Sequence, residues 1–156
     1  MTIQAITNFI TVTDRAGGVQ HRYQNGKVGE VIRIGSTNYS YLSFIYRGAT
    51  RNRTGDNLQA ELTLAPNAIA MNIARQAVAS NWLVRIDTYT MNPSTFAVGR
   101  QLTQDVWVAS SFSYDPDKLT VVLSSGIDAV GASAPRGTLT STLVGALPST
   151  AQIRNQ

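Results

Sequence analysis

Between residues 57 and 89 the hydrophobic period of this sequence changes from two to that of a helix and back again, which obliges the chain to set one helix between two strands. Leu58, Ala60, Leu62 and Leu64 alternate with Asn57, Gln59, Glu61 and Thr63, so residues 57–64 have one dry face and read as a strand. Pro66 then stands at a first helical turn. Ile69, Ala70, Ile73, Ala74, Ala77 and Val78 recur at three- and four-residue spacing as far as Ser80 and Asn81. That spacing predicts a helix over about 66–80, of about four turns. Trp82, Val84, Ile86 and Thr88 next alternate with Leu83, Arg85, Asp87 and Tyr89 until Asn92 and Pro93 break the strand.

Two hairpins are expected to bracket this unit. Upstream, residues 29–34 and 39–46 are β-branched and aromatic, and Gly35, Ser36, Thr37 and Asn38 between them supply turn chemistry. Downstream, residues 105–114 and 118–124 flank Asp115, Pro116 and Asp117, a turn set by its central proline. Residues 1–13, with Ile3, Ile6, Phe9, Ile10 and Val12, fit a short helix or a strand equally well. From Gly126 onward Gly131, Pro135, Gly137, Gly145 and Pro148 are spaced too closely for long elements, which predicts an extended arm. The expected fold class is therefore α+β and β-dominated: a small antiparallel β-barrel or sandwich with one packed helix. Residues 1–125 form the β-rich domain and residues 126–156 the C-terminal arm. Alternation alone leaves barrel and sandwich open.

Charge narrows the setting. Only 14% of the 156 residues are charged, against roughly 25% in an ordinary soluble domain. A surface poor in Lys and Glu suits contact with other subunits. The net charge of +4 and sequence pI near 9.8 come from scattered arginines, with Lys27 and Lys118 the only lysines. Arginine without lysine is closer to protein-interface chemistry than to a surface that tracks phosphates. No cysteine is present, which removes disulfides, thiolate nucleophiles and the usual structural zinc sites. Residues 1–13 lack the pattern of a signal peptide and no stretch matches a membrane span, so the chain is expected in the cytosol until assembled.

Residues that carry catalysis are sparse. His21, the sole histidine, lies in the polar run Gln20, His21, Arg22 without a Gly-x-Ser-x-Gly nucleophile turn, and reads as a surface or loop residue. Asp105, Asp115, Asp117 and Asp128 lack the dense spacing of a calcium loop, and Gly17 with Gly18 opens no nucleotide-binding turn. The best basic cluster is Arg47, Arg51 and Arg53, preceded by Tyr39, Tyr41, Phe44 and Tyr46. Three readings fit it: a stacking platform with phosphate clamps, a core-facing strand followed by a solvated loop, or an arginine loop that pairs with a neighbouring subunit or lines a lumen.

The run Ala134-Pro135-Arg136-Gly137-Thr138-Leu139-Thr140, followed by Leu143-Val144-Gly145-Ala146-Leu147-Pro148, resembles the C-terminal arms of tail-hub-associated proteins of long-tailed bacteriophages. The order before it is similar too: a strand, the helix near 66–80, then Trp82-Leu83-Val84-Arg85-Ile86, Trp107-Val108-Ala109 and Leu119-Thr120-Val121-Val122-Leu123. The likeness covers about residues 28–150. Some relatives at the tip of flexible tails carry cysteines after this region for an iron–sulfur cluster; this chain has none, so no cofactor carries over.

The resemblance implies a structural, non-enzymatic virion protein of the tail tip or baseplate, made in the host cytoplasm. It would join tail tube to hub or spike in a ring of three or six copies, away from membranes, with DNA or tape-measure protein in the lumen. Candidate contact residues are Arg47, Arg51 and Arg53 in the loop 47–54, and Pro135, Arg136, Leu139, Leu143 and Leu147 in the arm, whose low charge suits addition to an exposed strand edge. The alternative is a nucleic-acid-binding β-domain that uses the aromatic and arginine surface.

Overall fold

A computed structural model of the chain describes residues 4–48 and 59–125. The described part holds nine strands in one mixed sheet and a single helix. In chain order these are β1 (Ala5–Thr13), β2 (Val19–Gln24), β3 (Ile32–Ile34), β4 (Thr37–Tyr41), β5 (Phe44–Arg47), β6 (Gln59–Leu64), α1 (Ala68–Ala79), β7 (Leu83–Met91), β8 (Val98–Asp115) and β9 (Lys118–Ser124). Across the sheet they run β3-β4-β2-β1-β7-β8-β9-β6-β5. Every ladder is antiparallel except β2 with β4, where Tyr23 pairs with Ser40 and Gln24 with Tyr41.

The connection from β4 to β5 decides the shape. β4 lies second from one end of the sheet and β5 at the other, yet only Leu42 and Ser43 join them. So short a connector spans roughly 10 Å at most, so the sheet must roll until its ends meet. Across the seam the Asn25 side chain donates to Phe44 O (3.2 Å), while on either side the Leu42 amide prolongs the β2–β4 ladder to the Gln24 carbonyl (3.0 Å) and the Ala65 amide prolongs the β5–β6 ladder to Ser43 O (3.1 Å). No continuous ladder crosses it among the described residues, so the fold is sandwich-like and not a closed barrel.

This crossing also corrects the upstream hairpin. The expected single strand over 39–46 is two strands, because Leu42 drops into the core and Ser43 receives the Ala65 amide. The hairpin is β3 with β4: Ile34 pairs with Thr37 around Gly35 and Ser36, and Gly35 takes φ +58, as a primed hairpin turn requires. Its first strand starts at Ile32, since the preceding loop is organised by Gln24. That fully buried amide donates to the carbonyls of Lys27 (2.7 Å) and Glu30 (2.9 Å) and accepts from the amides of Gly26 (2.7 Å) and Lys27 (2.8 Å). Residues 5–13, left open by periodicity, are a strand because both faces are covered.

Those two faces define two cores. Ile10 and Val12 of β1 join Leu42, Phe44, Leu62, Leu64, Val84, Ile86, Trp107, Leu119, Val121 and Leu123 inside the rolled sheet. Phe9 on the opposite face packs with Ile32, Tyr39 and Met91 under the β3–β4 hairpin, meeting Tyr39 and Tyr89 edge-to-face at 5.0 and 5.4 Å. Burying a side chain such as Phe9 contributes roughly 2–3 kcal/mol.

The helix seals the main core with alanines. Ala70, Ala74 and Ala77 are its buried residues, and their small side chains leave an apolar cavity of about 30 Å³. Ile69, expected inward, is 61% exposed; Ile73 is half-buried. Pro66 precedes the helix instead of entering it: Asn67 has extended backbone and its side chain accepts from the Ala70 amide at 2.7 Å, so the helix starts at Ala68 and spans 12 residues. At the far end Asn81 takes φ 48, its amide donates to Val78 O (3.3 Å) and the Trp82 amide to Ala77 O (2.8 Å), a Schellman closure that turns the chain into β7. The downstream hairpin forms as expected, Asp115 pairing with Lys118 around Pro116 and Asp117, although β8 begins earlier, at Val98.

Candidate subunit interface

Of the contact residues expected from sequence, Arg47 lies among the described residues; Arg51, Arg53, Pro135, Arg136, Leu139, Leu143 and Leu147 lie outside them, as does the proposed arm. Arg47 ends β5 on the outward face, opposite Glu61 in the β5–β6 ladder, and Glu61 is opposite Val122 in the β6–β9 ladder. Together with Gly48 and Gln59 these residues rim an open depression. Along the same face run Ile45, Thr63 and Thr120 in register, with Ile45 62% exposed. This outward face carries the β-branched side chains of Ile45, Thr63 and Thr120, with Arg47 and Glu61 towards one end and the facing pair Asp115 and Lys118 towards the other.

The aromatics before Arg47 face the other way. Tyr39 is buried in the second core and Phe44 in the first. The Tyr46 hydroxyl donates to Asp105 Oδ2 (3.0 Å) and accepts from Trp107 Nε1 (2.9 Å). Burial above all, with the Asp105 charge in addition, pushes the phenol up to about 12 against the opposing effect of the Trp107 donor. Tyr46 therefore stays protonated and ties β5 to β8. Tyr39, Phe44 and Tyr46 are thus engaged with the cores, while the loop expected after them lies outside the described residues.

One further carboxylate was not singled out by sequence. Asp87, buried on β7, meets Arg85 Nε at 3.0 Å and Gln101 Nε2 at 3.0 Å. Burial raises its carboxyl above the usual range, while Arg85 draws it back. Asp105 sharing a face with Trp107 was the available signal for the Tyr46 contact, since a carboxylate on a strand's inner face needs a partner. His21 is neither on a loop nor fully exposed: it sits in β2, half-buried, stacked on Tyr23 with centroids 5.9 Å apart and tilted on Trp82 at 6.0 Å, and burial lowers its pKa. Among the described residues no group of three His, Cys, Asp or Glu side chains is placed to hold a metal, and no helix is long and apolar enough to cross a membrane.

The chain is similar to one in the virion of a native gene transfer agent particle. The superposition covers 86% of this chain and 44% of that one, with TM-score 0.53 and 11% sequence identity, so the two share a fold and this chain spans less than half of the neighbour's length. No protein-family model and no curated protein sequence matches the chain.

Proposed function

We propose that this protein is a structural subunit of a phage-type virion, placed at the tail tip or baseplate hub, where a ring of three or six copies joins the tail tube to the hub or spike, and that it catalyses no reaction. The observation that carries this reading is the fold shared with a chain from a gene transfer agent virion over most of this chain's length. The low charge and the resemblance to tail-hub arms support the same assignment. In such a role the work is burial of apolar surface and pairing of strand edges between copies and with other tail proteins. The face bearing Ile45, Thr63, Thr120 and Arg47 is the part of that surface within the described residues.

Light scattering on the purified protein, alone and co-expressed with tail proteins of the same phage, tests this. A ring mass or a stable complex with a hub protein is expected, and Ile45→Lys should weaken it while leaving the melting transition in place. A strict monomer that ignores every tail protein refutes the proposal; salt-dependent binding of single-stranded DNA by that monomer would establish the nucleic-acid alternative instead.

A further inference from the structure

Asn25 and Gly26 form the one Asn-Gly step in the sequence; no other asparagine is followed by glycine. Such a step can modify itself. The main-chain nitrogen of the glycine attacks Cγ of the asparagine, an N–Cγ bond forms and the Cγ–Nδ2 bond breaks, and Nδ2 leaves as ammonia with the proton the attacking nitrogen gives up. Water then opens the resulting succinimide at either carbonyl, so that asparagine and water become aspartate or isoaspartate and ammonia. Glycine favours the attack because no Cβ obstructs the approach.

The fold holds both reacting groups. The Gly26 amide donates to Oε1 of fully buried Gln24 at 2.7 Å, which engages the proton the reaction must remove. The Asn25 carboxamide is fixed at both ends: Oδ1 accepts from the Asn8 amide (2.9 Å) and the Thr7 hydroxyl (3.2 Å), and Nδ2 donates to Phe44 O (3.2 Å) across the seam. Ring closure has to draw Cγ out of these bonds and turn the Gly26 nitrogen away from Gln24. Gly26 has no room for that turn, being packed so closely on the Thr7 hydroxyl and Met91 Cε that a Cβ would collide with both.

We propose that Asn25 is a deamidation site guarded by the closed seam: it reacts only when β2 and β5 part, and its products no longer let the seam close. Aspartate sets an acceptor-only carboxylate oxygen against the Phe44 carbonyl, where Nδ2 donates in the native chain. Isoaspartate lengthens the main chain by one carbon beside Gly26, where the packing leaves no slack. A chain left open is in this way withdrawn permanently from the folded pool.

The test ages the full chain at mildly alkaline pH, in buffer and in urea above its unfolding midpoint. Trypsin releases residues 23–27 as one peptide, and mass spectrometry follows replacement of the amide by acid, with fragmentation separating Asn25 from Gln24. Conversion at Asn25 should be at least about tenfold faster in urea, since reaction from an opened chain follows the open population. On return to buffer, the fraction that regains the parent melting transition should match the unmodified fraction. Asn25→Asp, one of the two products, should unfold at lower urea than the parent. Equal rates in buffer and urea, or no conversion in either, would overturn the guarded site. Modified chains or Asn25→Asp with the parent's transition would overturn the claim that the products keep the seam open.

Discussion

The hydroxyl of Tyr46 lies 3.0 Å from a carboxylate oxygen of Asp105, across 59 positions of sequence, and it receives the Trp107 indole N–H at 2.9 Å. One phenol thus fastens the last strand of the rolled sheet to its longest. Tyr46→Phe keeps the ring and removes both bonds, leaving the buried Trp107 indole N–H and the half-buried Asp105 carboxylate without this partner. A loss of about 1–3 kcal/mol is expected, read as a lowered urea midpoint at constant m. An unchanged midpoint would mean that water replaces the hydroxyl at no cost.

Asp87 makes stability depend on pH in a stated direction. Burial, opposed by Arg85, raises its folded-state pKa above the unfolded value, which lies near 3.9. The folded protein then binds this proton more tightly than the unfolded chain, so the contribution is present below about pH 3.9 and is lost as pH rises through the folded-state value. Asp87→Asn removes that slope. Melting temperatures followed from pH 3 upward should show the variant gaining on the parent across this window, and parallel curves would contradict the assignment.

Gly26 has no room for a side chain. A Cβ there would collide with the hydroxyl of buried Thr7 and sit 2.9 Å from Met91 Cε. Gly26→Ala should cost about 1–3 kcal/mol by thermal melting. Gly29→Ala, with open space but φ +71, should be destabilised by backbone strain without repacking of the second core. Changes in the Phe9 ring resonances would separate the two, being expected only in Gly26→Ala.

The helix ends respond to opposite changes. Asn67→Ala removes the oxygen that caps the Ala70 amide and should cost about 1 kcal/mol. Asn81→Gly relieves a left-handed residue within the Schellman closure and should raise stability by several tenths of a kcal/mol. Denaturant midpoints moving in the same direction for both would show that the helix termini are not set by these side chains.

Local periodicity was enough to place α1 between two strands, to orient Ala60, Leu62, Leu64, Val84 and Ile86 inward and to locate the Pro116 turn, because each depends on residues a few positions apart. The ends of α1 shifted because capping by Asn67, a single hydrogen bond, outweighs the preference of Pro66 for a first turn. Composition also conveyed the low charge of the outer surface. What alternation could not convey was which strands become neighbours. Tyr39 and Phe44 belong to one aromatic run in the sequence, yet enter different cores, because Leu42 and Ser43 carry the chain from one end of the sheet to the other and roll it closed. The pairing of Tyr46 with Asp105 and the two-sided burial of β1 both follow from that roll. Each depends on contacts between residues far apart in the chain, and only the tertiary fold brings those together.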